Sequence, residues 1–219
     1  MKSIGILTVL KSYFRDVLIE SASSVYNPNL ELYLVDGRFQ LCANNAIYSF
    51  DDKYSNFAQA FKKTNWNKYD VSNALILGLG LASIPFILEK KHQLPLNYTA
   101  IEIDDAIIYL ASKYRIPELK SNIEVINTDA SLFLEQCSDQ YDMICMDVFI
   151  DQTIPAEFIS RDSIMQLHDL LKPGGLLFYN ILEKGHEKDC RFICHEIESI
   201  FEHSELIHVE DNVVVKAVK

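Results

Sequence analysis

Between Asn73 and Leu182, strand-length runs of uninterrupted apolar residues alternate with amphipathic helical patterns, and this alternation limits the possible folds more than any other feature. The runs are "ALILGL", "YTAIEI", "NIEVINT", "YDMICMDV" and "LLFYNIL"; between them lie "ASIPFILEKK", "DDAIIYLASKY", "ASLFLEQC" and "SRDSIMQLHDLL". In the last of these Ile164, Leu167, Leu170 and Leu171 share one face. A strand that is apolar on both sides must be covered on both sides, and strands joined by helices run parallel. The spacing predicts a parallel α/β sheet between two helix layers. Pro85 fits the first turn or two of its helix, and Lys172-Pro173-Gly174-Gly175 is expected to end the helix before the fifth strand.

The two ends of the chain differ from this middle. From Arg15 to Ser49, "RDVLIESAS" and "LELYLVDGRFQLCANNAIYS" are rich in β-branched and aromatic residues, and Asp36-Gly37 is a hairpin-turn pair. A small antiparallel sheet is expected, giving residues 1–50 as an N-terminal β-sheet domain and 51–219 as the α/β domain. "DDKYSNFAQAFKKT" places Tyr54, Phe57, Ala58 and Phe61 at helical spacing behind two aspartates suited to a helix start. After a last long helix, "EKDCRFICHEIESIF", come "SELIHV" and "NVVVKAV", joined by Glu210, Asp211 and Asn212. Two strands with no helix between them pair antiparallel if they are neighbours. An NAD-binding sheet continues with parallel strands instead, so a dehydrogenase survives only if this hairpin is misread. The ending resembles that of class I S-adenosylmethionine-dependent methyltransferases, and the resemblance implies a Rossmann-like seven-stranded sheet with an antiparallel C-terminal hairpin.

Composition excludes several classes. With a formal net charge of −11 the chain lacks the basic face that a nucleic-acid backbone requires. Its five cysteines form no CxxC, Cys190 and Cys194 read as helix packing, and the six histidines show no metal-ligand spacing, so no metal is expected. "MKSIGILTVLKSYFR" is too short in apolar residues for a secretory signal, and Leu75 to Leu88 is too interrupted and short to span a bilayer. A reduced, cytoplasmic protein with no membrane partner is expected.

Three strand ends carry the chemistry. Gly78 and Gly80 stand where the first buried strand turns into a helix, where glycine allows positive φ and close approach of a ligand. Glu102 ends the second strand among isoleucines; a carboxylate buried there needs a partner, and the hydroxyls of a ribose would supply one. Asp104 reads as the cap of the following helix. Asp129 ends the third strand, either as a helix cap or as acceptor of an adenine amino group, with Ala130 leaving room for a ring. Carboxyl ends of successive strands are where open α/β sheets bind ligands, so the three together point to an adenosine-containing molecule.

These stretches resemble the spermidine synthase group of the class I methyltransferase superfamily. The resemblance runs from about Leu30 to Leu182 through "LYLVDGRFQL", "ALILGLGLAS", "AIEID", "NTDA", "YDMICMDVF" and "LKPGGLLF". It implies that Gln40 lies near the sulfur end of the nucleoside, that Glu102 and the adjoining Ile103 hold the ribose end, that Asp129 and Ala130 contact adenine, and that Asp147 is the catalytic aspartate. Asp151, in the loop after Asp147, would either bind a cationic amine or be solvated. Tyr48 and Asn180 are pocket candidates that read more readily as structural. The resemblance also implies a homodimer.

The chain departs from the group's pattern at several positions. Leu81 stands where the group has an aspartate for the aminopropyl amine, and Ile76 where methyltransferases often have an acid. Ala46 falls near an expected glutamate, and "DVFIDQTIP" displaces its proline to Pro155. On the sequence, the expected function is a transferase using S-adenosylmethionine or its decarboxylated form on a small molecule, with methyl transfer placed ahead of aminopropyl transfer. A non-catalytic nucleoside-binding or assembly protein is the alternative.

Overall fold

The computed structural model describes residues 4–43, 46–150 and 152–219. A helix, α1 (Ile6–Ser12), precedes β1 (Val17–Ala22), β2 (Leu30–Val35), β3 (Arg38–Ala43) and β4 (Ala46–Ser49), which form one antiparallel sheet in that order. Asp36 and Gly37 both have positive φ, 49° and 73°, as a two-residue hairpin turn requires. Strand alternation buries Leu30, Leu32 and Leu34 of β2 and Phe39, Leu41 and Ala43 of β3 on one face. Helix α1 is not anticipated from sequence, because seven residues are too few to show a period.

The helix expected to start at Asp51-Asp52 starts later. Asp51–Lys53 form a 3-10 turn, and α2 spans Ser55–Lys63. The cause is burial. Asp51, with a φ of 39°, is drawn inside to meet Arg115 at 2.5 Å and the Phe39 N–H at 2.7 Å, where a capping aspartate would face solvent. Tyr54 thereby stands before α2 instead of on its apolar face.

The large sheet contains β5 (Asn73–Leu77), β6 (Asn97–Glu102), β7 (Asn122–Asn127), β8 (Tyr141–Met146), β9 (Leu171–Leu182), β10 (His203–Val209) and β11 (Asn212–Val218), in spatial order β10-β11-β9-β8-β5-β6-β7. β5 to β9 are mutually parallel, and β11 inserts antiparallel between β9 and β10. The expected closing hairpin is therefore present. The helices are α3 (Ser83–His92), α4 (Asp105–Tyr114), α5 (Ala130–Gln136), α6 (Arg161–Asp169) and α7 (Glu187–Ile200). Lys172-Pro173-Gly174-Gly175 does not terminate a helix. It opens β9 with a register shift against β8, and the Gly174 N–H bonds the Lys219 carbonyl at 2.7 Å.

Alternate residues of the central strands feed two cores. Ala74, Ile76, Met143, Cys145, Leu176 and Phe178 pack with α2, α3, α4 and the inner face of the small sheet. Leu75, Leu77, Ile144, Met146, Leu177 and Tyr179 pack with α5, α6 and α7. The first core is continuous across the small sheet and the large one, with α2 packed on β9, β10 and β11. Ser49 of β4 bonds Ser83 at 2.6 Å, and Tyr54, just before α2, reaches Asp147 at the end of β8. Among the described residues no helix is long and apolar enough to cross a membrane.

Candidate active site

From β5 the chain proceeds outward through β6 to β7, then returns to β5's other side with β8. The resulting switch point is a crevice at the strand ends. Gly78 and Asp147 form its two lips. The Asp147 N–H bonds the Leu77 carbonyl at 2.8 Å, and Gly78 has φ +89°. A Cβ on Gly78 would lie 2.3 Å from the Asp147 carbonyl oxygen, so only glycine lets the two strand ends meet. The cavity above them encloses about 500 Å³, within the range of small-molecule sites.

Glu102, at the end of β6, reaches under the glycine turn. One carboxylate oxygen accepts the Leu79 and Gly80 N–H groups at 3.1 and 3.3 Å, and the other accepts the Asp104 N–H at 3.1 Å. Burial pushes its pKa up, and these three bonds oppose the shift. Burial of Glu102 therefore does not by itself require a ligand, contrary to the expectation from sequence. Backbone donors satisfy the carboxylate, and its first task is to hold the glycine turn. Asp104 caps α4 through the Ala106 N–H, as expected. It is also nearly inaccessible, at 1% exposure, because Ser24 and Asn27 of the β1–β2 loop donate to it at 2.6 and 2.7 Å. Tyr48 donates to Asn27 at 3.2 Å, so the small sheet's loop is tied to the cavity rim.

At the end of β7, Asp129 caps α5 by accepting the Ser131 and Leu132 N–H groups at 2.7 and 3.2 Å. Burial works against its charge, but the bonds from Ser131 and Leu132 outweigh burial and hold its pKa low. The cap reading of Asp129 is realised, and its side chain still lines the cavity beside Ala130.

Asp147 is different in kind, since among the described residues no cation faces it. Tyr54 donates to its two oxygens at 3.1 and 2.9 Å, and Asn180 donates at 2.8 Å. Burial raises its pKa to about 6, with Asn180 and Tyr54 pulling the value part of the way back. The surface it still exposes is cavity wall. A carboxylate so placed is ionised at neutral pH and close enough to neutrality to accept a proton from a substrate. Tyr54, half-buried and beside that charge, has its own pKa raised well above the ordinary value and so stays a donor.

The structure thus brings Gly78, Gly80, Glu102, Ile103, Asp129, Ala130 and Asp147 to one cavity. Gln40 is not among its lining residues. Phe39, Leu41 and Ala43 take the inner face of β3, so parity turns Gln40 to the other face, where it bonds the Cys42 sulfur at 3.3 Å. Asp151 lies outside the described residues. Leu81 and Ile76 are both fully buried in the first core and form no part of the wall. Tyr54, Asn56, Asn27 and Asn212 line the cavity without having been singled out from the sequence. For Tyr54 the signal was hidden by its fit to a helical apolar period; for Asn212 it lay in strand parity on the same face as Asp147. Among the described residues no group of three His, Cys, Asp or Glu side chains is arranged to hold a metal ion.

The sheet order, closing hairpin and strand-end cavity define a class I methyltransferase-type fold carrying an additional N-terminal sheet. The same architecture is seen in spermidine synthase from Thermotoga maritima, which superimposes with a TM-score of 0.67 over 92% of this chain and 72% of that one at 14% identity. Residues 57–213 match the model of the spermine/spermidine synthase domain, and the chain belongs to that family. Over 112 residues it is 32% identical to a probable polyamine aminopropyl transferase of Bifidobacterium longum, covering 51% of this chain and 24% of that protein. Over 114 residues it is 33% identical to an N-terminal histidine N-methyltransferase of Emericella nidulans, covering 50% of this chain and 20% of that protein. The matched half of the chain therefore spans only a quarter or less of these two relatives.

Proposed function

We propose that this chain is an aminopropyltransferase that moves the aminopropyl group of decarboxylated S-adenosylmethionine to a small amine. The observation that carries the proposal is the charge of the cavity. Its described wall holds the acidic residues Glu102, Asp129, Asp147 and Glu157, with the buried Asp104 behind them, and no Lys, Arg or His. Both reactants of aminopropyl transfer are cations. Intact S-adenosylmethionine carries a carboxylate as well; held about 6 Å from one of these acids, at an effective dielectric near 20, it would be disfavoured by about 3 kcal/mol. That is roughly a hundredfold in affinity. The likeness to the Bifidobacterium longum aminopropyl transferase supports the same choice.

The residues fit such a donor. Gly78 and Gly80 leave space above the turn, the outer face of Glu102 with Ile103 would take the ribose, and Asp129 with Ala130 the adenine. The bound donor supplies a sulfonium centre that already carries its leaving group. What the chain supplies is alignment of amine and carbon, which can amount to roughly 7–11 kcal/mol. Asp147 receives the proton of the attacking amine, a contribution of about 10²–10⁴-fold. From its sequence position alone, Asp151 is assigned to the ammonium end of the acceptor. The homodimer belongs to the proposal too, supported by the outward apolar side chains Ile6, Leu7 and Phe14, which are 79%, 75% and 90% exposed; light scattering should give twice the chain mass.

Methyl transfer is the second reading. It is favoured by the absence of wall carboxylates at positions 76 and 81 and by the likeness to the Emericella nidulans methyltransferase. Mass spectrometry of reaction mixtures separates the two. With the decarboxylated donor and a set of diamines and monoamines, the expected products are methylthioadenosine and an amine heavier by one aminopropyl unit. Formation of S-adenosylhomocysteine and a methylated amine from intact S-adenosylmethionine, with no turnover of the decarboxylated donor, would overturn the proposal.

A further inference from the structure

Strand register brings three polar side chains into line on the face of the large sheet that meets α2. β8 and β9 pair Met146 with Tyr179, so the next residues along, Asp147 and Asn180, are neighbours. β9 and β11 pair Asn180 with Val214, and two residues back Asn212 is the diagonal neighbour on the same face. The Asn180 carboxamide is held at both ends. Its NH₂ donates to Asp147 Oδ1 at 2.8 Å, and its oxygen accepts from Asn212 Nδ2 at 3.0 Å. Asn180 is 2% exposed, so protein groups must satisfy both ends.

We propose that Asn212 is a positioning residue that acts on Asp147 through Asn180: by donating to the Asn180 oxygen, it fixes that carboxamide with its NH₂ toward the carboxylate. With no donor at 212, the Asn180 oxygen is buried and unpaired, and the carboxamide turns to find one. Asp147 then keeps the Tyr54 hydroxyl and loses its second donor. Among the described residues, the titratable groups facing Asp147 are that hydroxyl, from the segment before α2, and the Cys145 thiol of its own strand; burial keeps both neutral near pH 7. β9 and β11 present only amides to it, and the turn after β5 only backbone. Removing one of two donors from an otherwise uncompensated carboxylate makes it easier to protonate.

The test is a ¹³C carboxyl titration of aspartate-labelled protein, with the Asp147 resonance identified by its loss in Asp147→Asn. In Asn212→Leu, similar in size and lacking a donor, the midpoint should rise by about half to one pH unit. Asn212→Gln, which keeps a carboxamide, should restore part of that shift. Asp211→Asn removes a charge from the same turn without touching Asn180 and should titrate like wild type. If Asn212→Leu does not fold, Asn212→Ala carries the same expectation. A midpoint in the donor-less variant within about 0.2 units of wild type, or an equal rise in Asp211→Asn, overturns the proposal. The titration needs no substrate, so it stands apart from the aminopropyl reading. The acid limb of kcat/KM rests on that reading, and should move with the midpoint. A midpoint that moves without the limb supports the positioning of Asp147 and counts against Asp147 as the base.

Discussion

Replacing Gly78 with alanine tests whether the glycine turn exists to let β5 and β8 meet. The new Cβ would stand 2.3 Å from the Asp147 carbonyl oxygen and 2.9 Å from its carbon, both backbone atoms that no rotamer change can move. Relieving that contact to an ordinary carbon–oxygen separation of about 3.3 Å takes about 1 Å of displacement. Overpacking of this kind costs about 1–3 kcal/mol. The φ of +89° adds about 1–3 kcal/mol for a side chain held in a sparsely populated region. A total of about 2–6 kcal/mol is expected, or a melting temperature lower by roughly 4–24 °C for a chain of this length. Gly80→Ala is the comparison. Its φ of +51° lies in the left-handed region, and its nearest new contact is the Tyr48 carbonyl at 3.2 Å, so about 1–2 kcal/mol is expected. Urea denaturation of both variants measures the difference. Because the displaced atoms belong to Asp147, turnover in Gly78→Ala should also fall by about a hundredfold. Equal stabilities for the two variants, with turnover retained in Gly78→Ala, would refute the reasoning.

Three further outcomes are expected. Asp147→Asn should lower kcat by about 10²–10⁴-fold while changing donor affinity little, and wild-type kcat/KM should fall about tenfold per unit below pH 6, because the carboxylate is lost as pH drops through its pKa of about 6. The same variant should be more stable than wild type at pH 7. A carboxyl whose folded pKa is raised loses stability as pH climbs from about 4 to about 6, so the neutral amide recovers roughly 1–2 kcal/mol after allowance for cavity water, less at pH 4.5, as urea denaturation at the two pH values will show. Arg115→Met should cost about 3–5 kcal/mol, because it strands the buried Asp51 carboxylate; adding Asp51→Asn should recover part of it in thermal melts.

What the sequence disclosed is what periodicity and chain order encode. Apolar runs announced β5, β6, β7, β8 and β9, and glycine or acid at their ends announced Gly78, Glu102, Asp129 and Asp147, because strand ends in such sheets converge. Side chains that act across elements were less legible. Tyr54 satisfied a helical pattern that its helix does not use, since burial of Asp51 beside Arg115 delays α2 to Ser55. Asn212 was read as a turn residue, and its role emerges only with the β9–β11 register. Gln40 was placed by resemblance, whereas the parity of β3 sends it to the opposite face. Glu102 shows how burial can mislead. Its partner is the glycine turn itself, a contact between residues more than twenty positions apart.

Calorimetric titration with decarboxylated S-adenosylmethionine and with the intact molecule, at one pH and ionic strength, measures most directly whether an anionic cavity selects its donor by charge. The decarboxylated form should bind at least about tenfold more tightly. Equal or tighter binding of the intact molecule would contradict that selection.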